Sequence, residues 1–170
     1  MSALQNESNT MHGKISNPPM IIRASASQAE EAHILLNEYY REVEVLLRDM
    51  PESVDKFLNN PDSGLWIAYV EGTPAGCVVL KPLEEIQSAG ECKRLYVRAQ
   101  FRRMGIANAL LDAMEEYARS CSLSWIYLDT KDDLEAAITL YNLRGYEPCE
   151  RYNTNPQATV FLRKSIRRSS

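Results

Sequence analysis

Residues 91–107, ECKRLYVRAQFRRMGIA, constrain the chain more than any other stretch. The first seven read as a strand ending on apolar side chains, and residues 102–107 read as a basic turn with one glycine. An amphipathic segment comes directly after. Ile106, Ala109, Leu110, Ala113, Met114 and Tyr117 fall on one helical face; Asp112, Glu115, Glu116 and Arg119 fall on the other, which should be wet. A strand, a glycine turn and a helix start in succession gather unpaired backbone amides where the helix dipole favours negative charge. A glycine in the turn lets the backbone approach a phosphate without a Cβ clash. Lys93, Arg94, Arg98, Arg102 and Arg103 make the stretch cationic in a chain of net charge -4, so an anionic ligand is drawn here. No Lys-Ser or Lys-Thr comes after the glycine, as a nucleotide-binding P-loop requires.

The remainder of the chain reads as the scaffold for that unit. With 170 residues, 45% of them hydrophobic, it suffices for one domain with a real core. Residues 20–23 form a candidate first strand, and Ser25 or Ser27 can cap the first helix. The spacing of Ala32, Leu35, Leu36, Tyr39, Val43 and Leu46 predicts that helix to run to about residue 49, stopped by Pro51. Residues 52–60 give a short second helix. Residues 65–70 and 75–81 flank Glu71-Gly72-Thr73-Pro74, a hairpin signal. Residues 83–90 link to the organising strand. Residues 125–128 are uniformly apolar, as in a strand covered on both faces. A helix over 134–144 is closed by Gly145. Strands are expected over 146–152, limited by Pro148, and over 158–164, before a basic end of Arg163, Lys164, Arg167 and Arg168 read as a solvated tail.

That order predicts an α/β protein of α+β type. One mixed, mostly antiparallel twisted sheet of six to seven strands would be flanked by about four helices. Strict alternation would place Glu91, Lys93, Leu95 and Val97 on one face, mixing charge with core, and a β-bulge would relieve that conflict.

Composition narrows the function classes. A pI near 5.3 argues against nucleic acid as a partner, and no apolar run approaches the roughly 20 residues that cross a bilayer. Residues 1–19, rich in Ser and Asn, read as a disordered extension; 20–166 read as the folded domain and 167–170 as a basic tail. The four cysteines form no CxxC pair, so free thiols in a reducing cytoplasm are expected. Neither His12 nor His33 lies in a metal-binding cluster, and no metal is expected.

In this order and spacing the residues resemble the GNAT-type N-acetyltransferase family. The family's phosphate-loop pattern, Arg/Gln-x-x-Gly-x-Gly/Ala, reads here as Arg102, Gly105 and Ala107. Residues 137–146, AITLYNLRGY, resemble the family's helix that carries a tyrosine before a Gly-aromatic pair. The resemblance covers residues 20–166 and implies acetyl-CoA as cosubstrate. The backbone of Leu95, Tyr96 and Val97 would hold its pantetheine arm, where the strand splays from that of residues 125–128. Arg102, Arg103, Met104, Gly105, Ile106 and Ala107 would hold the pyrophosphate.

The resemblance further implies Glu91 as the base, Tyr141 as the acid toward the departing thiolate, and the Val97 amide at the thioester oxygen; Asp129, at the end of the strand over 125–128, is the substitute base or else a turn residue. An asparagine common in the family seven residues before the tyrosine is replaced by Leu134. The implied reaction is direct acetyl transfer, in a ternary complex, to a primary amine of a small molecule rather than of a peptide or protein. A non-catalytic acyl-CoA sensor is the alternative, and the protein would be a monomer or homodimer. Acceptor walls are expected from residues 39–50, 84–90 and 150–157, with Tyr39, Tyr40, Tyr152 and Asn153 as wall residues. Glu42, Glu44, Asp49 and Glu52 would either attract a cation or form a solvated helix face.

Overall fold

The computed structural model describes residues 17–43 and 51–168. In chain order the elements are β1 (Met20–Arg23), α1 (Ala29–Glu42), α2 (Pro51–Asn59), β2 (Gly64–Val70), β3 (Thr73–Pro82) and β4 (Ala89–Val97). They continue with α3 (Ile106–Ser120), β5 (Trp125–Thr130), α4 (Glu135–Leu143), β6 (Glu147–Pro148) and β7 (Val160–Ser165). Seven strands form one sheet ordered β1-β2-β3-β4-β5-β7-β6. Every pairing is antiparallel except β4 with β5. This is the mixed, mostly antiparallel sheet expected. No described helix is long and apolar enough to cross a membrane.

Alternation in the central strands builds two cores. From β2, Trp66, Ala68 and Val70 join Leu110, Leu111 and Met114 of α3 and Tyr141 of α4. Leu65, Ile67 and Tyr69 point the other way, onto Leu35, Leu36, Tyr40 and the α2 residues Val54, Phe57 and Leu58. With both faces covered, the strand is a continuous apolar run, GLWIAYV, all of it buried. The β2–β3 connection is a two-residue turn with positive φ at both Glu71 (48°) and Gly72 (81°), matching the strand twist.

The 3₁₀ turn over residues 26–28 that leads into α1 is fixed by a capping box. The Ser25 side chain accepts the Ser27 N–H at 3.3 Å, and Gln28 Oε1 accepts the Ser25 N–H at 2.8 Å. The helix ends at Glu42, shorter than its apolar spacing suggests, and Val43 closes it by donating to the Tyr39 carbonyl at 3.0 Å. Residues 44–49 lie outside the described residues, as do residues 1–16 of the expected extension and 169–170 of the tail. Pro51 opens α2, where its fixed φ and missing N–H suit the first helical position.

Three expectations are corrected. The strand over 146–152 shrinks to Glu147–Pro148, because proline cannot donate to the ladder. Arg163 and Lys164 belong to β7, not to a tail: Arg163 lies 4.4 Å from the centre of the Trp125 ring, and Lys164 pairs with Glu115. Glu115, placed by its spacing on the wet face of α3, is only 1% exposed. It binds Arg144 at 2.5 Å and Lys164, with Arg119 at 3.9 Å, and so ties α3 to the end of α4 and to β7. Removing this carboxylate takes from Lys164 its acidic partner and, among the described residues, leaves Arg144 the exposed carboxylate of Asp112 and the oxygens of Asn108. Glu115→Ala is expected to cost roughly 2–3 kcal/mol, somewhat below a fully buried pair because both cations keep some water. Urea denaturation measures it.

Candidate active site

The site begins where two neighbouring strands part. β4 and β5 pair only from Ala89 with Trp125 to Glu91 with Tyr127. Beyond that point β4 stays paired to β3, and β5 to β7 as far as Thr130, so each is held by its outer neighbour. The result is a fork within a cleft of about 1050 Å³. The expected bulge lies on its β4 side. Pairing steps from Val79 with Lys93 to Cys77 with Tyr96, one residue too many on β4, and Arg94 sits in the left-handed region with φ 58°. The extra residue resolves the parity conflict. Cys92 packs in the α3 core and, past the bulge, Leu95 and Val97 pack there too, while Tyr96 turns to the α1 core. Gly76 is required opposite, because a Cβ there would stand 2.4 Å from the Tyr96 carbonyl oxygen.

The ladder leaves the end of β4 facing the fork. Arg98 donates its N–H to the Ala75 carbonyl at 2.8 Å. By antiparallel alternation the N–H and C=O of Val97 then point away from β3. Arg102 Nε accordingly reaches that Val97 carbonyl at 3.0 Å. A short 3₁₀ turn over residues 99–101 leads on to Arg103 (φ 64°) and Gly105 (φ 76°), which begins α3. No side chain caps this helix and its first turn has no acid, so its amides meet the cleft along Gly105, Ile106, Ala107 and Asn108. Arg102 and Arg103 line the same end.

Part of the expected positive charge is already spoken for. Glu38 holds Arg98 at 2.9 Å and Glu42 pairs with Arg102, which clamps α1 to the loop. The matched four-residue spacings, Glu38/Glu42 and Arg98/Arg102, are a sequence signal for this contact. Among the described residues nothing lies within 4 Å of where a Cβ would stand at Gly105, so the constraint is its φ and the open cradle it faces. Gly105→Ala is expected to cost roughly 1–2 kcal/mol of stability from the left-handed backbone. Urea denaturation checks this.

The acidic end is stapled by residues 152–155. Tyr152 donates its hydroxyl to Glu91 Oε2 at 2.8 Å. Asn153 uses one amide nitrogen twice, donating to Glu91 Oε2 at 3.2 Å and to Asp129 Oδ2 at 2.6 Å. Asn155 reaches the same Asp129 oxygen at 3.4 Å, and Lys93 Nζ lies 3.7 Å from Glu91 Oε1. Burial, and then the Glu91 carboxylate, push the Tyr152 hydroxyl far above its ordinary value. Glu91 is 5% exposed and sits at the vertex of the fork; among the described residues, Asp129 is the one of the two on the cleft wall. Tyr152 and Asn153, expected as acceptor walls, thus hold the carboxylates. Tyr39 lines the cleft, whereas Tyr40 is buried beneath it.

Tyr141 reaches the cleft from α4 and packs edge-on against Tyr146, ring centres 5.6 Å apart. Burial, reinforced by Cys92, Tyr39 and Asp129, raises its hydroxyl well above the usual phenol value near 10. The phenol therefore keeps its proton at neutral pH. Leu134 stands at the start of α4 with no side-chain cap, and lines the cleft.

Comparison with known proteins gives this arrangement its class. The model of the acetyltransferase (GNAT) family matches residues 29–146, and the chain belongs to that family of acetyltransferases. It is 30% identical over 139 residues to an uncharacterized N-acetyltransferase of Schizosaccharomyces pombe, covering 77% of this chain and 83% of that one. It is also 30% identical over 110 residues to mouse N-acetyltransferase 8F1, but there it spans 50% of the relative's length. Among solved structures, a GNAT-family acetyltransferase from Staphylococcus aureus superposes with a TM-score of 0.75 at 19% identity, over 88% of this chain and 99% of that one. The PaiA N-acetyltransferase of Thermoplasma acidophilum, solved with coenzyme A, gives 0.68 at 16% identity over 88% and 99%.

Proposed function

We propose that the protein moves an acetyl group from acetyl-CoA to a primary amine of a small molecule, by direct attack in a ternary complex. The observation that carries this reading is the fork itself. It joins an uncapped helix N-terminus, a strand edge turned outward, a carboxylate and a protonated phenol in one cleft. Those residues suit coenzyme A. The α3 amides and Arg103 would hold the pyrophosphate, and the outward N–H and C=O groups of Leu95 and Val97, with those of Tyr96 between them turned to β3, would bond the amides of the pantetheine arm as an added strand does. Met104 packs against the α3 core and supports the loop from below. The Val97 N–H, turned toward the fork, would polarise the thioester oxygen. Acetyl-CoA supplies the activated acetyl group.

A lysine-like amine is about one part in 10³ neutral at pH 7, so attack needs a group that takes its proton. Asp129 would take it: its position on the cleft wall supports the role, with Asn153 and Asn155 holding its oxygen and Glu91 behind it. Tyr141 supplies the hydrogen bond that the departing sulfur needs. Calorimetric titration with acetyl-CoA, then free-thiol release across a panel of amines, tests the reading. No binding at millimolar acetyl-CoA would sink it, and binding without turnover of any amine would favour a sensor.

A further inference from the structure

The two banks of the fork carry different elements. α1 belongs to the β4 bank: Tyr39 packs edge-on against Tyr96, ring centres 6.4 Å apart, and Glu38 holds Arg98 at 2.9 Å. The turn after β5 belongs to the opposite bank, anchored by the residue that precedes β7. Thr159 donates its N–H to the Thr130 carbonyl at 3.0 Å, and its hydroxyl oxygen accepts the Asp132 N–H at 2.9 Å. Lys131 stands in that turn. Its half-buried side chain crosses to the α1 bank, where Nζ donates to the Val43 carbonyl at 3.0 Å. That oxygen closes a helix C-terminus, where the dipole favours a cation. Both residues line the cleft.

The contact lies on the side from which an amine has to come. Ile126 and Leu128 pack in the α3 core together with Tyr141, whereas Tyr127 faces the other way. By alternation Asp129 shares the face of Tyr127, so Asp129 and Tyr141 meet the fork from opposite faces of the sheet. An amine that gives its proton to Asp129 therefore enters from the α1 face. On that face the Tyr152–Glu91 bond closes the vertex, and Lys131 crosses the gap two residues beyond Asp129. Between them is a window, not an open groove. A compact amine passes it, but a polypeptide running on from its amine has to cross the line between Lys131 and Val43. Resting on the transferase reading above, we propose that the Lys131–Val43 contact is a strap over the acceptor entrance. Lys131 is then a specificity-determining residue that sets acceptor size, admitting compact amines and excluding the amino ends of polypeptides.

The test compares acceptors that share one amine and differ in length: phenylalaninamide and leucinamide, each against an octapeptide amide beginning with the same residue, by initial rates of thiol release. The wild-type protein should favour the single-residue amide of each pair in kcat/KM by at least about tenfold. A peptide has to break the strap to bind, so Lys131→Ala should raise kcat/KM for the octapeptides roughly 10- to 100-fold, the worth of a charge-assisted hydrogen bond. The single-residue amides should stay within about threefold. Lys131→Met keeps the length without the donor and should act as Lys131→Ala does, whereas Lys131→Arg should keep the wild-type preference. Unchanged acetyl-CoA affinity shows that the variants are folded. Equal use of both lengths by the wild type, or a preference that survives Lys131→Ala, overturns the inference and leaves the transferase reading standing. Turnover of neither length also overturns it, and the wider amine panel then decides the transferase reading separately.

Discussion

Tyr141→Phe is expected to lower kcat by roughly 10²–10³-fold, within the range a positioned proton donor supplies, while acetyl-CoA affinity changes by less than about threefold. The substitution removes one oxygen and keeps the ring that packs against Tyr146, so the cleft retains its shape. Burial raises the hydroxyl well above its ordinary value, so the proton is held at every pH below 10. A thiolate with a pKa near 8.5 is a weaker base than such a phenolate. In the proposed reaction Tyr141 would therefore act chiefly by hydrogen-bonding charge as it develops on sulfur, an interaction absent from the bound thioester. That places the loss in kcat rather than in binding. On that reading the neutral form is the active one, and Tyr141 is expected to give the wild-type rate no alkaline fall below pH 10. Steady-state rates with calorimetric affinities decide the matter. An unchanged kcat removes the role, and an equal loss of cofactor affinity assigns the tyrosine to packing.

Local pattern made much of this site legible in advance. The glycine turn at a helix head, the tyrosine ahead of Gly145 and the parity conflict in β4 are all readable within ten or so residues. Each was met by a feature of that kind: an uncapped α3, a cleft-lining Tyr141 and a bulge at Arg94. The contacts that order the carboxylates were not legible. Glu91 meets Tyr152 and Asn153 across 61 and 62 positions, and Asp129 meets Asn153 across 24, with no periodicity to announce them. Glu115 failed for a related reason. Its place on the helix wheel is polar, but the wheel does not know that Arg144 and Lys164 arrive from other elements to bury it. Helix ends were equally obscure on α1, where apolar spacing continues past the Val43 cap.

Asp129→Asn should reduce kcat/KM by roughly 10²-fold at pH 7, the scale of a lost general base. The replacement is isosteric and can still accept from Asn153 and Asn155, so the loop remains stapled. What it loses is the capacity to take a proton. The variant must wait for amine that is already free base, a fraction that rises tenfold per pH unit below the amine's pKa near 10.4. Its log rate should therefore climb with a slope of one and close on the wild type as the pH approaches that value. Glu91→Gln provides the contrast. Glu91 lies behind the wall, 2.8 Å from the Tyr152 hydroxyl, and its change should cost only a few-fold with a pH profile parallel to wild type. Were Glu91→Gln to show the larger loss and the unit slope, the proton would have to leave toward the vertex of the fork. Asp129 would then be the carboxylate that only holds the loop.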